Sequence, residues 1–189
     1  MPRSYVKNRR AEREAETRQR IVEAAVALHG EIGPAATTIS MIAERAGVQR
    51  HTVYAHFADE LALFTACSGR HAEQHPLPSP DEWKEVVAPE ARLTMALTSL
   101  YRWFAENESM TANVLRDAER NATLRTISDR AFGTAFGKIY ESLAPGLTAR
   151  GKAVLTLALS FYTWRTLIRD ARMRPKDAIA LMVASILAA

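Results

Sequence analysis

Apolar side chains along this chain recur at intervals of three and four, with little of the every-second-residue alternation that a strand requires. The fold this dictates is all-α. From Arg18, the positions Ile21, Ala24, Ala25, Leu28 and Ile32 form one stripe on a helix that stops near Gly33-Pro34. A short second helix begins where Thr38 can cap it and buries Ile39, Ile42, Ala43 and Ala46 before Gly47. A third runs from about Gln49 to His56, with Val48, Val53 and Phe57 as its apolar positions. Asp59 is placed to cap a fourth, carrying Leu61, Leu63 and Phe64. Three prolines between His75 and Pro80 break that helix and mark an internal connection. Beyond it the spacing predicts helices over Pro89 to Glu106, Met110 to Arg120, Leu124 to Leu143, Thr148 to Met173 and Pro175 to Leu187.

With 189 residues, 48% apolar and 24% charged, the chain suits one ordinary domain or two small ones sharing a core, and is unlike a disordered, collagenous or disulfide-built protein. Its one cysteine, Cys67, cannot form an intrachain bridge. No secretory signal pattern opens the chain, so a reducing cytoplasm is the expected compartment. The longest apolar runs, Val154 to Leu159 and Ala178 to Leu187, fall short of the roughly 20 residues of a membrane span, and no membrane partner is expected. Net charge is +4, and residues 1–20 hold seven basic side chains against Glu12, Glu14 and Glu16, so the whole excess equals that of this basic N-terminal arm. Such an arm is an electrostatic footprint for a polyanion.

Function is carried by Ile42-Ala43 with Gly47-Val48 and Val53 inside a pair of short helices. Ala43 is small where two helices cross, Gly47 suits the left-handed conformation of a tight turn, and Val53 anchors the second helix on the first. This is helix-turn-helix spacing, which holds its second helix out so that it can enter a major groove. The outer face of that helix offers Gln49, Arg50, His51, Thr52, Ala55 and His56, polar at all but Ala55 where a buried helix would be apolar. Double-stranded DNA is the expected partner.

The stretch Thr17 to Phe64, about a quarter of the chain, contains Thr17-Arg18-Gln19-Arg20-Ile21, Thr37-Thr38-Ile39-x-x-Ile42-Ala43-x-x-Ala46-Gly47-Val48 and Thr52-Val53-Tyr54-x-His56-Phe57. In these motifs it resembles the tetracycline-repressor (TetR) family of bacterial transcription regulators. The resemblance implies a three-helix DNA-binding domain, a connecting fourth helix and a helical ligand-binding and dimerisation domain. On this chain that divides into an arm over 1–16, a helix-turn-helix domain over 17–58, and the remainder over 59–189. It also implies base contacts at or near Arg50, His51 and Thr52, phosphate contacts from Tyr54 and His56, and a phosphate at the helix start capped by Thr38, with Gln49 and Ser40 as further candidates. The guanidinium fork of Arg50 suits guanine, and Tyr54 and His56 are apt phosphate donors. Many family members have a lysine at the start of the fourth helix where this chain has Glu60, which offers no phosphate contact.

The helix predicted over Thr148 to Met173 is apolar on more than one face, and the last helix nearly all round. Two such helices exceed what one small core can bury, which points to a homodimer built on them. Two-fold symmetry in turn predicts a palindromic site with half-sites about 34 Å apart or at multiples of that. Aromatic and polar residues between the proline-rich boundary and these helices could line a pocket for an unidentified small-molecule effector: Tyr101, Trp103, Phe104, Asn107, Arg116, Phe136, Tyr140, Tyr162 and Arg165.

Nothing in the sequence points to catalysis, a cofactor or a bound metal. His71 and His75 are four apart, a spacing that suits a metal, but no third ligand joins them locally beyond Glu73 on another face. Phosphate loop, nucleophile elbow and zinc-protease motifs are missing. The reading is a ligand-responsive, DNA-binding transcriptional regulator of repressor type. Its alternative is a helical small-molecule-binding or protein-interaction module without operator binding.

Overall fold

The computed structural model describes residues 2–189, with the side chains of residues 1–8 and of Ala131 outside the described set. Among the described residues there are eleven α-helices and no strand. They are α1 (Pro2–Ile32), α2 (Ile39–Ala46), α3 (Arg50–His56), α4 (Glu60–Gln74), α5 (Pro89–Glu106), α6 (Glu108–Ala118), α7 (Ala122–Ser128), α8 (Thr134–Leu143), α9 (Ala149–Ala158), α10 (Phe161–Arg165) and α11 (Pro175–Ala188). Contacts divide the chain into one unit of residues 1–74 with Ser109–Ala131, and a second of His75–Glu108 with Phe132–Ala189. Residues 109–131, assigned from sequence to the region after residue 59, therefore pack with the N-terminal unit.

In the first unit, Ile21, Ala24, Ala25 and Leu28 of α1 meet Ile42, Ala43 and Ala46 of α2, Val53 and Phe57 at α3, and Leu63 and Cys67 of α4. Burying each large aliphatic side chain is worth about 1.5–3 kcal/mol, and the alanines let the helices approach closely. The Thr38 hydroxyl caps α2 by accepting the Met41 N–H at 3.2 Å. Gly47 ends the same helix in the left-handed region at φ 66°, and Val48 N–H closes the turn on Ala43 O at 2.9 Å. Asp59 caps α4 through Ala62 N–H at 2.7 Å. Leu124 and Ile127 of α7, which packs on α4, are buried.

The first helix is longer than the apolar stripe predicts, beginning at Pro2 rather than near Arg18. Residues 10–20 are almost all strong helix formers, so propensity carries the helix where no core face exists. Arg3 and Lys7 of the basic arm lie outside the described side chains.

In the second unit, α11 packs against α5 and α9. Gly151 brings α9 so near α11 that a Cβ there would lie 3.0 Å from Ile186 O. Phe104 is the hub of an aromatic cluster, edge-on to Phe161 at 5.5 Å and stacked on Phe136 at 6.2 Å, with Trp164 at 5.8 Å. Trp83 is buried and donates its indole N–H to Ser142 Oγ at 3.0 Å. Two helices expected to be continuous are interrupted. The Leu124 to Leu143 segment passes through a π turn at Asp129–Gly133. The Thr148 to Met173 segment stops at Ala158, restarts at Phe161 after an extended Ser160, and ends in a second π turn, where Ala171 N–H reaches back to Thr166 O at 2.8 Å. The break lets Phe161 and Trp164 both turn onto Phe104, and that aromatic packing outweighs unbroken helix bonding.

Candidate nucleic-acid interface

Because Val53 and Phe57 point into the core, the opposite side of α3 faces outward. Gln49, Arg50, His51, Tyr54 and Ala55 are exposed, while Thr52 and His56 are half-buried at its edges. Tyr54, 55% exposed, is too large and too accessible to be serving the core. Thr38 and Ser40 are exposed at the start of α2, and the Thr38 hydroxyl keeps its own hydrogen free to donate while it caps the helix.

Several ties fix the pose of this helix pair. Arg20 of α1 donates to Ala46 O at 3.2 Å, satisfying a carbonyl at the end of α2. Arg45 forks onto Glu31 at 2.6 and 2.8 Å, joining α2 to α1, and the bonded guanidinium lowers the Glu31 carboxyl below its ordinary range. Arg18 lies over the Phe57 ring, 4.8 Å from its centroid.

The corner between α1 and α2 is held from α6. Asn113 donates to His29 O and Gly30 O at 3.1 and 2.9 Å, and Arg116 lies against Ile32 O at 3.4 Å, so two side chains serve the last carbonyls of α1. The buried Asp117 accepts from Ala35 N–H at 2.9 Å and from Arg116 at 2.8 Å. Gly33 passes beneath them at φ 95°. His29 is buried beside this corner with its ring 5.5 Å from that of Phe64, and burial lowers its pKa to about 4 against a smaller upward pull from Asp117. Burial likewise pushes the Cys67 thiol up to about 12, so it is held as an unreactive thiol.

Residues 21–67, which span this core and the exposed face of α3, match the family described as bacterial regulatory proteins, tetR family. Over those residues the chain is thus similar to the N-terminal domain of that family. That family is one of regulatory proteins rather than enzymes. The fold also extends over nearly the whole length of solved structures. One is a protein from Mesorhizobium loti MAFF303099 assigned to the TetR family, with 20% identity, 93% of this chain and 96% of that chain covered, and a TM-score of 0.64. Another is a TetR-family transcriptional regulator from Streptomyces coelicolor, with 20% identity, 92% and 80% coverage, and a TM-score of 0.62. A third is a transcriptional regulator from Rhodococcus sp. Rha1, with 18% identity, 90% and 96% coverage, and a TM-score of 0.64. No curated protein matches the chain.

Within this TetR fold the eight residues singled out for DNA, Thr38, Ser40, Gln49, Arg50, His51, Thr52, Tyr54 and His56, all belong to α2, α3 or their caps. Sequence reasoning missed Asn113 and Asp117 as supports of the helix pair, since nothing local links them to residues more than eighty positions earlier. Arg20 stands in the opening motif, but its bond to Ala46 O is likewise not readable there.

The residues offered for an effector pocket are dispersed. Phe136 and Tyr140 line a cavity of about 340 Å³ together with Gly137, Glu141, Thr156, Leu159 and Ser160. Phe104 and Trp103 are core, and Trp103 donates to His75 O at 2.9 Å. Tyr101 is buried with its hydroxyl on Ala158 O at 3.2 Å, and Asn107 bonds Trp103 O at 2.9 Å at the end of α5. Tyr162 and Arg165 are exposed, and Arg116 serves the α1 corner in the other unit. His71 is buried on α4 while His75 is exposed beyond its end, and among the described residues no three His, Cys, Asp or Glu side chains gather as a metal site. No helix among the described residues is long and apolar enough to cross a membrane.

Proposed function

We propose that this protein is a transcriptional regulator that binds a palindromic DNA site as a homodimer and leaves it when a small molecule occupies the second unit. The observation that carries the reading is the polar, exposed face of α3 on a tetR-family domain, with Arg50, His51 and Tyr54 outward while Val53 and Phe57 anchor the helix. A helix so presented fits the major groove, with Arg50 suited to a guanine edge and Tyr54, His56 and Thr38 to phosphates. Dimerisation through the last helices is supported by apolar side chains left exposed there, Leu157, Tyr162, Leu181 and Leu187. For a repressor, the ligand must bind better to a conformer whose two recognition helices are wrongly spaced. The cavity edged by Phe136 and Tyr140, which lies within the second unit and is lined by two of the expected effector residues, is a candidate for it.

The test is selection of random duplex DNA on the purified chain, followed by titration of the enriched sequences. Enrichment of a palindrome bound far more tightly than random DNA supports the regulator. Weak, salt-sensitive binding without enrichment overturns it.

A further inference from the structure

Helix α1 continues well beyond the core it serves, and its charges are sorted around its axis. Arg9 and Arg13 are four residues apart and Arg20 follows seven later, spacings that bring the three to one side with Arg10 beside them. At 3.6 residues per turn these four arginines fall within an arc of about 100°. Glu12 and Glu16 border that arc on one side and Glu14 on the other. Between Arg9 and Arg20 the arc otherwise holds only Thr17, so it has no apolar side chain with which to dock a protein surface. The four arginines are exposed.

The row runs outward along α1 from the end of α2. At its inner end Arg20 rests on Ala46 O, next to Gly47 and the turn that leads into α3. Its outer end, eleven residues on, lies about 16 Å away along the helix. Duplex DNA carries a charge every ~1.7 Å along its axis, so a cationic row of this length spans several phosphates. Resting on the DNA-binding reading above, we propose that the row Arg9, Arg10, Arg13 and Arg20 is a second phosphate-binding surface that grips the duplex flanking the base pairs read from α3.

The experiment titrates the full chain against the selected site, once as the minimal duplex and once extended by about ten base pairs, one helical turn, at each end, over a series of salt concentrations. Wild type is expected to bind the extended duplex about tenfold more tightly at low salt. The double variant R9Q/R13Q should lose that gain, and its salt slope on the extended duplex should be shallower by ~1.8 per protomer, for two contacts at ~0.9 each. Its affinity for the minimal duplex should stay within about twofold, with unchanged helical circular dichroism. R9K/R13K, which keeps the charges, should keep the gain. Equal binding of both duplexes by wild type, or a flank gain that survives in R9Q/R13Q, overturns the proposal while leaving sequence-specific binding intact. A wild-type chain that prefers no duplex sequence overturns the proposal and the reading beneath it together.

Discussion

The carboxylate of Asp117 accepts the backbone N–H of Ala35 at 2.9 Å across 82 residues of sequence. Through it, α6 holds the short turn that separates α1 from the helix pair presenting Arg50 and Tyr54. A buried carboxylate bonded both to an N–H and to Arg116 is a charge-assisted contact, of the kind worth about 1.5–3 kcal/mol. Asp117→Ala should therefore lower the stability of the fold by about that amount and leave Ala35 N–H without its acceptor. Urea denaturation followed by circular dichroism measures it, and an unchanged midpoint would refute the role of this contact.

Two glycines in the left-handed region should respond unequally to alanine. Gly47 has room, since the nearest atom to an added Cβ is Arg20 Nη1 at 3.9 Å, so Gly47→Ala meets only the backbone preference, about 1 kcal/mol. At Gly33 an added Cβ would fall 2.3 Å from Arg116 Nη2 and 2.7 Å from Asp117 Oδ2, so the same change must also dislodge the clasp. Gly33→Ala is expected to cost at least ~2 kcal/mol more than Gly47→Ala. Parallel denaturation of the two variants decides the order.

His29 makes the fold sensitive to mild acid. Its folded pKa is lowered from 6.5 to about 4, so between those values the unfolded chain binds a proton that the folded chain refuses. Stability from this group is complete above pH 6.5 and is lost as pH falls toward 4, by about 3 kcal/mol over the window. Denaturation midpoints taken from pH 7 down to pH 5 should fall, and His29→Leu should flatten that dependence. A variant whose midpoints drop as steeply as those of wild type would assign the effect to another group.

Arg50→Ala tests the reading of bases. Loss of one guanidinium–guanine fork is expected to weaken specific binding by about 1–3 kcal/mol and relax preference at one position of the site, with little effect on binding to random duplex. Equal loss on every sequence would mean that Arg50 contacts phosphate alone.

Most of the first unit was legible in the sequence because its signals are local. The stripe Ile21 to Leu28, the cap at Thr38, the turn at Gly47 and the cap at Asp59 each act within a few residues, and all four are found as expected. What could not be read depends on partners distant in the chain. Ser160 interrupts a helix with neither glycine nor proline beside it, because Phe104, more than fifty positions earlier, draws Phe161 and Trp164 inward. The helical start of α1 failed for the opposite reason. Residues 10–20 carry helix propensity without an apolar stripe, and a search for stripes passes over them. The effector residues scattered because aromatic spacing alone does not separate a ring that fills a core, such as Phe104, from one that edges a cavity, such as Phe136.

Cys67 is the chain's one thiol, and it sits at 4% exposure in the core of the first unit, with Sγ 4.0 Å from Val22 O. Shut in this way, it equips the protein with a native reporter. A thiol-directed label added in folding buffer can attach only when α4 parts from α1, so the labelling rate clocks the opening of the helix-turn-helix core in the unmodified chain. If DNA holds that core closed, the label will enter more slowly in its presence.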